Sequence, residues 1–200
     1  GLDLYRVRVD GTGFQRLSTT AGRHQVFLNR SRNLLLDSWS DIITPPQVRV
    51  HSTNAYRQVR VVEPNRVRGL TEQGLSTPEL LQVQTRDGFV MEAMMIKPPD
   101  FDPKKKYPMM LSIHGGPHAM YGVGFNFAWQ EHAANGYVIL YTNPRGSTGY
   151  GSAFGNAIKY AYPSKDFDDL MKGVDAVLAK GYVDERNMFV TGCSGGGVLT

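Results

Sequence analysis

A single cysteine, Cys193, occurs among the 200 residues. An internal disulfide and a cysteine-built metal cluster are thereby excluded. No apolar run approaches the roughly 20 residues of a membrane-spanning helix. No basic segment followed by an apolar stretch opens the chain, so no signal peptide is legible, although residue 1 is Gly rather than Met. The phosphate-binding pattern G-x-x-x-x-G-K-[ST] is missing. Gly149-Tyr150-Gly151 precedes a helix-like stretch, but Phe154 stands where G-x-G-x-x-G requires glycine. A soluble chain remains, with no expected cofactor, metal, nucleotide or membrane partner. The choice between cytoplasm, periplasm and secretion stays open.

What is present describes an ordinary globular chain. Hydrophobic residues make up 41% and charged residues 20%, with a formal net charge of +4. The length suffices for one sizeable core or parts of two. Arginine supplies most of the positive excess, in pairs two apart: Arg6 and Arg8, Arg30 and Arg32, Arg66 and Arg68. That spacing puts both side chains on one face of a strand. A nucleic-acid stripe would look like this. Asp3, Asp10, Asp37, Asp41 and Glu63 are interspersed, however, which favours a solvated outer sheet face and no nucleic-acid partner.

Residues 1–70 read as short strands between turns. Leu4, Val7 and Val9 precede the hairpin signal Asp10-Gly11-Thr12-Gly13, and 14–17 returns. Strands follow at 25–28, 34–39, 48–51 and 59–62, interrupted by Pro45-Pro46. Polar residues with Pro64, Gly69, Gly74 and Pro78 mark a boundary. Segments 81–84 and 89–96 form a strand pair around Arg86-Asp87-Gly88. The runs 109–113 and 137–141 are nearly continuous in apolar residues, as for strands covered on both faces. A helix at 127–134 ends at Asn135-Gly136. A second spans 166–180, with Phe167, Leu170, Met171, Val174, Val177 and Leu178 on one face. Strands alternating with helices predict a parallel, doubly covered sheet.

The chemistry concentrates in Gly192-Cys193-Ser194-Gly195-Gly196, preceded by the apolar run 188–190 and followed by a helix start. Strand, G-x-S-x-G, helix is the nucleophile elbow of α/β-hydrolases. Its glycines are steric requirements, because the tight turn presses Gly192 and Gly196 against neighbouring backbone. A serine nucleophile also needs two N–H donors for the oxyanion. One is the N–H of Gly195. The other belongs in a glycine-rich loop after an early core strand, where His114-Gly115-Gly116-Pro117 stands. The base is missing. In this fold the acid and then the histidine follow the serine, and six residues remain after Ser194. His114 or His118 with Asp166 would put the base inside the oxyanion loop, which disfavours that order. His24, His51 and His132 read as surface or packing residues. The chain is therefore expected to stop before its acid and base.

Four stretches together carry a resemblance: 98–108 with its lysine run, His114 to His118, Asn143 to Gly151, and the Ser194 elbow. In order and spacing they resemble the prolyl oligopeptidase family of serine peptidases, and the two middle stretches look most like its acylaminoacyl-peptidase branch. The front, Leu4 to Leu17, is similar to the propeller end of dipeptidyl peptidase IV-like members. The resemblance implies Ser194 as nucleophile, with Gly195 and Gly116 as oxyanion donors. His114 occupies the place of an oxyanion-stabilising tyrosine in several members. Gly195 replaces the commoner tyrosine and is expected to leave a roomier site.

The expected architecture is the end of a β-propeller at 1–70, then the N-terminal part of an α/β-hydrolase domain at 71–200. The expected activity is hydrolysis of short peptides through an acyl-enzyme on Ser194, with a peptide substrate, a homo-oligomer left open, and no turnover by the 200 residues alone. An esterase or lipase on the same fold, or a non-catalytic hydrolase-like module, are the competing readings. A front propeller favours the peptidase, because lipases lack one.

Overall fold

The computed structural model describes residues 1–69 and 74–200. The boundary expected between residues 70 and 71 lies outside the described residues. The chain divides into two compact units, Gly1–Gln73 with Gly122–Phe127, and Gly74–Tyr121 with Ala128–Thr200.

The first unit is antiparallel throughout its named strands. β1 (Tyr5–Arg6) and β2 (Gln15–Arg16) pair as a short ribbon. Its turn is closed by Asp10, whose Oδ1 accepts from both the backbone N–H and the hydroxyl of Thr12. β3 (Arg23–Leu28), β4 (Leu34–Ser40), β5 (Gln47–Ser52) and β6 (Gln58–Glu63) form a four-stranded meander in chain order.

Two expectations about charge fail here. Asp37 is fully buried rather than part of a solvated face, and His24 and His51 are buried with it. Asp37 Oδ2 lies 2.7 Å from His24 Nδ1 and accepts the Tyr56 hydroxyl at 2.7 Å. Burial pushes the Tyr56 phenol well above its usual pKa, so it stays a donor. These partners lie 13 and 19 residues from Asp37, beyond the reach of any local pattern. The arginine pairs do not share strand faces either. Arg30 and Arg32 sit in the β3–β4 turn, where Arg32 has φ 56°, and Arg8 and Arg66 also lie outside strands.

The second unit is built on a five-stranded sheet in the order β11–β9–β10–β8–β7. Its strands are β7 (Glu79–Gln84), β8 (Val90–Ile96), β9 (Tyr107–Ile113), β10 (Val138–Thr142) and β11 (Val183–Gly192). β9, β10 and β11 are parallel, whereas β8 runs antiparallel to both β10 and β7. The sheet is therefore mixed: the strands from residue 107 onward are parallel, as expected, and the preceding strand pair joins them antiparallel. The reason is the tight hairpin at Arg86-Asp87-Gly88, which two strands in one parallel sheet could not share.

Helices α1 (Phe127–Ala134) and α3 (Lys165–Leu178) cover opposite faces. Alternation along β10 shows this: Val138 and Leu140 pack with Leu170, Val174 and Val177, while Ile139 and Tyr141 pack with Trp129 and Ala133. All four β10 residues are at most 1% exposed, which accounts for their continuous apolar run. On α3 the apolar face is shifted from the expected one. Asp166, Asp169 and Gly173 are buried, whereas Phe167 is 47% and Met171 38% exposed. Short turns complete the described part of the unit: α2 (Ser152–Gly155) and a 3-10 turn (Asn156–Ile158) before the long helix, and α4 (Gly195–Val198) after β11. No helix among the described residues is long and apolar enough to cross a membrane.

Candidate active site

The order of the parallel strands decides where a site can form. From β9 the chain crosses to β10 on one side and later to β11 on the other. The loops leaving β9 and its neighbours thus diverge at the carboxyl end of the sheet, where open α/β sheets bind ligands. β9 ends at Ile113 and leads into His114-Gly115-Gly116. β11 pairs with it to the last residue, Gly192 opposite Ile113, and leads into Ser194.

Ser194 has φ 57° and ψ −122°, a conformation that costs a residue with a side chain of order 1–3 kcal/mol. It persists because its surroundings over-determine it. A Cβ on Gly192 would strike Gly196, and one on Gly196 would strike Ile113 O. Gly196 N–H bonds Cys193 O at 3.0 Å and Gly197 N–H bonds Ser194 O at 2.9 Å. These contacts are the elbow's steric demands met in full.

The two loops touch. A Cβ built on Gly115 would lie 3.3 Å from Ser194 Cβ and 3.0 Å from Cys193 O. One built on Gly195 would lie 2.9 Å from Gly116 C and O and 3.1 Å from its N. Ser194, Gly195 and Gly116 are thus brought into one place. Gly195 opens the first turn of α4, so its N–H has no acceptor inside that helix. The expectation of a roomier site is corrected: the space of a side chain at 195 is taken up by the Gly116 backbone.

A second loop, 143–151, holds the first. Asn143 accepts Tyr121 N–H at 2.8 Å and donates to Tyr121 O at 2.9 Å. Thr148 N–H bonds Ala119 O at 2.9 Å, and His118 Nδ1 lies 3.0 Å from Gly146 O. The ring nitrogens of His114 lie 2.8 Å from Gly115 O and 2.9 Å from Ser147 Oγ. Both are therefore engaged away from Ser194. Burial pushes the His114 imidazole below its ordinary pKa, against a smaller upward effect of the Gly115 carbonyl.

Arg145 pins this holding loop to α3 and to the β7–β8 turn. Its guanidinium meets Asp169 through Nε at 2.8 Å and Nη2 at 2.6 Å, and Asp87 through Nη1 at 2.5 Å. The roles of Asn143, Arg145, Ser147 and Asp169 were not legible from sequence beyond the motif that contains three of them.

Asp87 carries a testable pH signature. The Thr85 hydroxyl first, and then Arg145, hold its carboxyl down to about 2. A folded-state pKa below the unfolded value of ~3.9 stabilises the fold in full above that value. The contribution is lost as pH falls through about 2. Urea midpoints of wild type and Asp87→Asn are expected to differ near neutrality and to converge as pH falls from ~4 toward 2. A difference that is constant across that window would contradict the assignment.

The model of the prolyl oligopeptidase family matches residues 123–200. The uncharacterized peptidase YuxL of Bacillus subtilis is 42% identical over 130 residues, 64% of this chain and 20% of that protein. Dipeptidyl-peptidase 5 of Aspergillus fumigatus is 34% identical over 131 residues, 64% of this chain and 18% of that protein. The chain thus spans about a fifth of the length of the curated relatives it matches. In fold it is similar to dipeptidyl peptidase 4 of Porphyromonas gingivalis, with a TM-score of 0.84 at 24% identity over 98% of this chain and 28% of that one. Residues 123–200, which the prolyl oligopeptidase family model matches, carry the elbow and the strands β10 and β11.

Proposed function

We propose that this chain is part of a serine peptidase that hydrolyses short peptides through an acyl-enzyme on Ser194. The observation that carries the reading is the meeting of the strained Ser194 turn with the Gly115-Gly116 loop at the ends of two paired parallel strands. In the reaction Ser194 Oγ attacks the scissile carbonyl carbon. The carbonyl oxygen becomes an oxyanion held by the N–H groups of Gly116 and Gly195. Collapse expels the amine, and water then releases the acyl group.

Residues 1–70 supply the end of a β-propeller in this reading, and 71–200 the N-terminal part of the hydrolase domain. A four-stranded antiparallel meander is the unit from which propeller blades are made. The general base is assigned to a histidine outside these residues, since His114 is occupied by Gly115 and Ser147. Residues 1–200 alone are accordingly proposed to be inactive.

The test uses the full-length protein. A fluorophosphonate should label the peptide containing Ser194, and dipeptidyl or N-acyl-aminoacyl p-nitroanilides should be hydrolysed. Label on another residue removes Ser194 from the mechanism. Turnover confined to short-chain esters would favour the esterase reading instead.

A further inference from the structure

We propose that Tyr162 is a positioning residue that holds the Gly195 side of the oxyanion hole in register, an inference that rests on the reading of Ser194 as nucleophile. Its hydroxyl donates to Gly195 O at 2.6 Å across 33 residues of sequence. Nothing in the local sequence marks it.

The need for such a tether follows from the elbow's composition. Gly195, Gly196 and Gly197 are consecutive, and glycine restricts its own backbone least of all residues. The helix they open, α4, is four residues long, too short to be rigid by itself. Oxyanion donors, by contrast, must lie within a few tenths of an ångström of their working position before the charge develops. The Tyr162 bond fixes the plane of the peptide that follows Gly195 Cα. The N–H of Gly195 hangs from the same Cα, so its direction is constrained from one side. On the other side the Gly116 backbone limits the same residue, as the close approach above shows.

Tyr162 is itself well anchored. It stands two residues before Ser164, the residue that opens α3, and its side chain is half-buried. Upstream, Gly146 N–H bonds Phe154 O at 3.1 Å and Ala161 N–H bonds Ile158 O at 3.0 Å. Downstream, Asp166 accepts Ser164 N–H at 2.6 Å and is buried. Burial, and then the carboxylate of Asp166, push the phenol above its ordinary pKa, so it remains protonated and a donor at neutral pH.

The experiment compares Tyr162→Phe, which removes one oxygen, with wild type and Ser194→Ala in the full-length protein. The expected result is a fall in kcat of about tenfold, short of the ~10²–10³ for losing a whole donor. KM should change less than twofold and Tm stay near the wild-type value. A peptide boronic acid, whose tetrahedral adduct fills the hole, should weaken by the same factor as kcat/KM falls. A substrate-like product inhibitor should bind unchanged. Wild-type kcat and boronate affinity in Tyr162→Phe overturn the proposal. So does a loss of Tm with boronate affinity intact, which would make the bond purely structural. Activity surviving in Ser194→Ala is a separate outcome: it overturns the nucleophile assignment, and the proposal with it.

Discussion

Ser194→Ala in the full-length protein should lower kcat for peptide substrates by about 10⁴–10⁶, with KM nearly unchanged. The alanine keeps the Cβ and therefore the turn. What is lost is the hydroxyl that forms the acyl-enzyme in the proposed reaction. Residual turnover over water would come from binding and the oxyanion donors alone. A companion variant separates chemistry from strain. Ser194→Gly is equally inactive but removes the Cβ from a backbone at φ 57° and ψ −122°. Relief of roughly 1–3 kcal/mol of strain is set against a glycine entropy cost of about 0.5–1 kcal/mol. Ser194→Gly is thus expected to melt at or above the temperature of Ser194→Ala. If it melts lower, the elbow is not strained in the way its dihedral angles indicate. If Ser194→Ala keeps more than a hundredth of wild-type activity, another nucleophile operates.

Arg145→Met is expected to be the most destabilising change in the second unit. Asp169 has no exposed side-chain area, and the Arg145 side chain is 10% exposed. Hydrogen bonds to Asp169 hold the guanidinium charged, with a pKa raised above its ordinary value. Removing the cation leaves a carboxylate buried without its partner, a loss of about 3–5 kcal/mol. For a unit of this size that corresponds to roughly 6–20 °C in Tm. Arg145→Lys should recover part of this, because it restores a charge without the two-pronged geometry. The double variant Arg145→Met with Asp169→Leu should recover more, since no buried charge remains. Activity should fall with stability in Arg145→Met, because the same loop carries Asn143 and Ser147 against the Gly116 segment. A double variant no more stable than the single one would show that desolvated charge is not the source of the loss.

Local periodicity carried the element map. Alternation marked β7, continuous apolar runs marked β9 and β10, and Asn135-Gly136 marked the end of α1, with Gly136 at φ 89°. The elbow was legible because its demands are local and steric: glycines must stand where backbone meets backbone. The motif named Ser194 and Gly195, and the resemblance added Gly116. The face of α3 was misjudged where apolar Phe167 and Met171 stay exposed and two aspartates turn inward. Hydrophobic spacing has no way to register Asp169, whose partner Arg145 arrives from the loop after β10.

The sequence by itself determined the strands, their alternation with helices and the glycine-framed serine, since these depend on steric and hydrophobic rules acting over a few residues. The tertiary structure decided the rest. It alone paired Asp37 with His24 and Tyr56, Arg145 with Asp169, and the Tyr162 hydroxyl with Gly195 O. It also set Gly116 against Gly195, closing a space that the sequence left open. Each is a polar or backbone contact between segments far apart in the chain. Its energy depends on distance and burial, and neither exists until the sheet has brought the segments together.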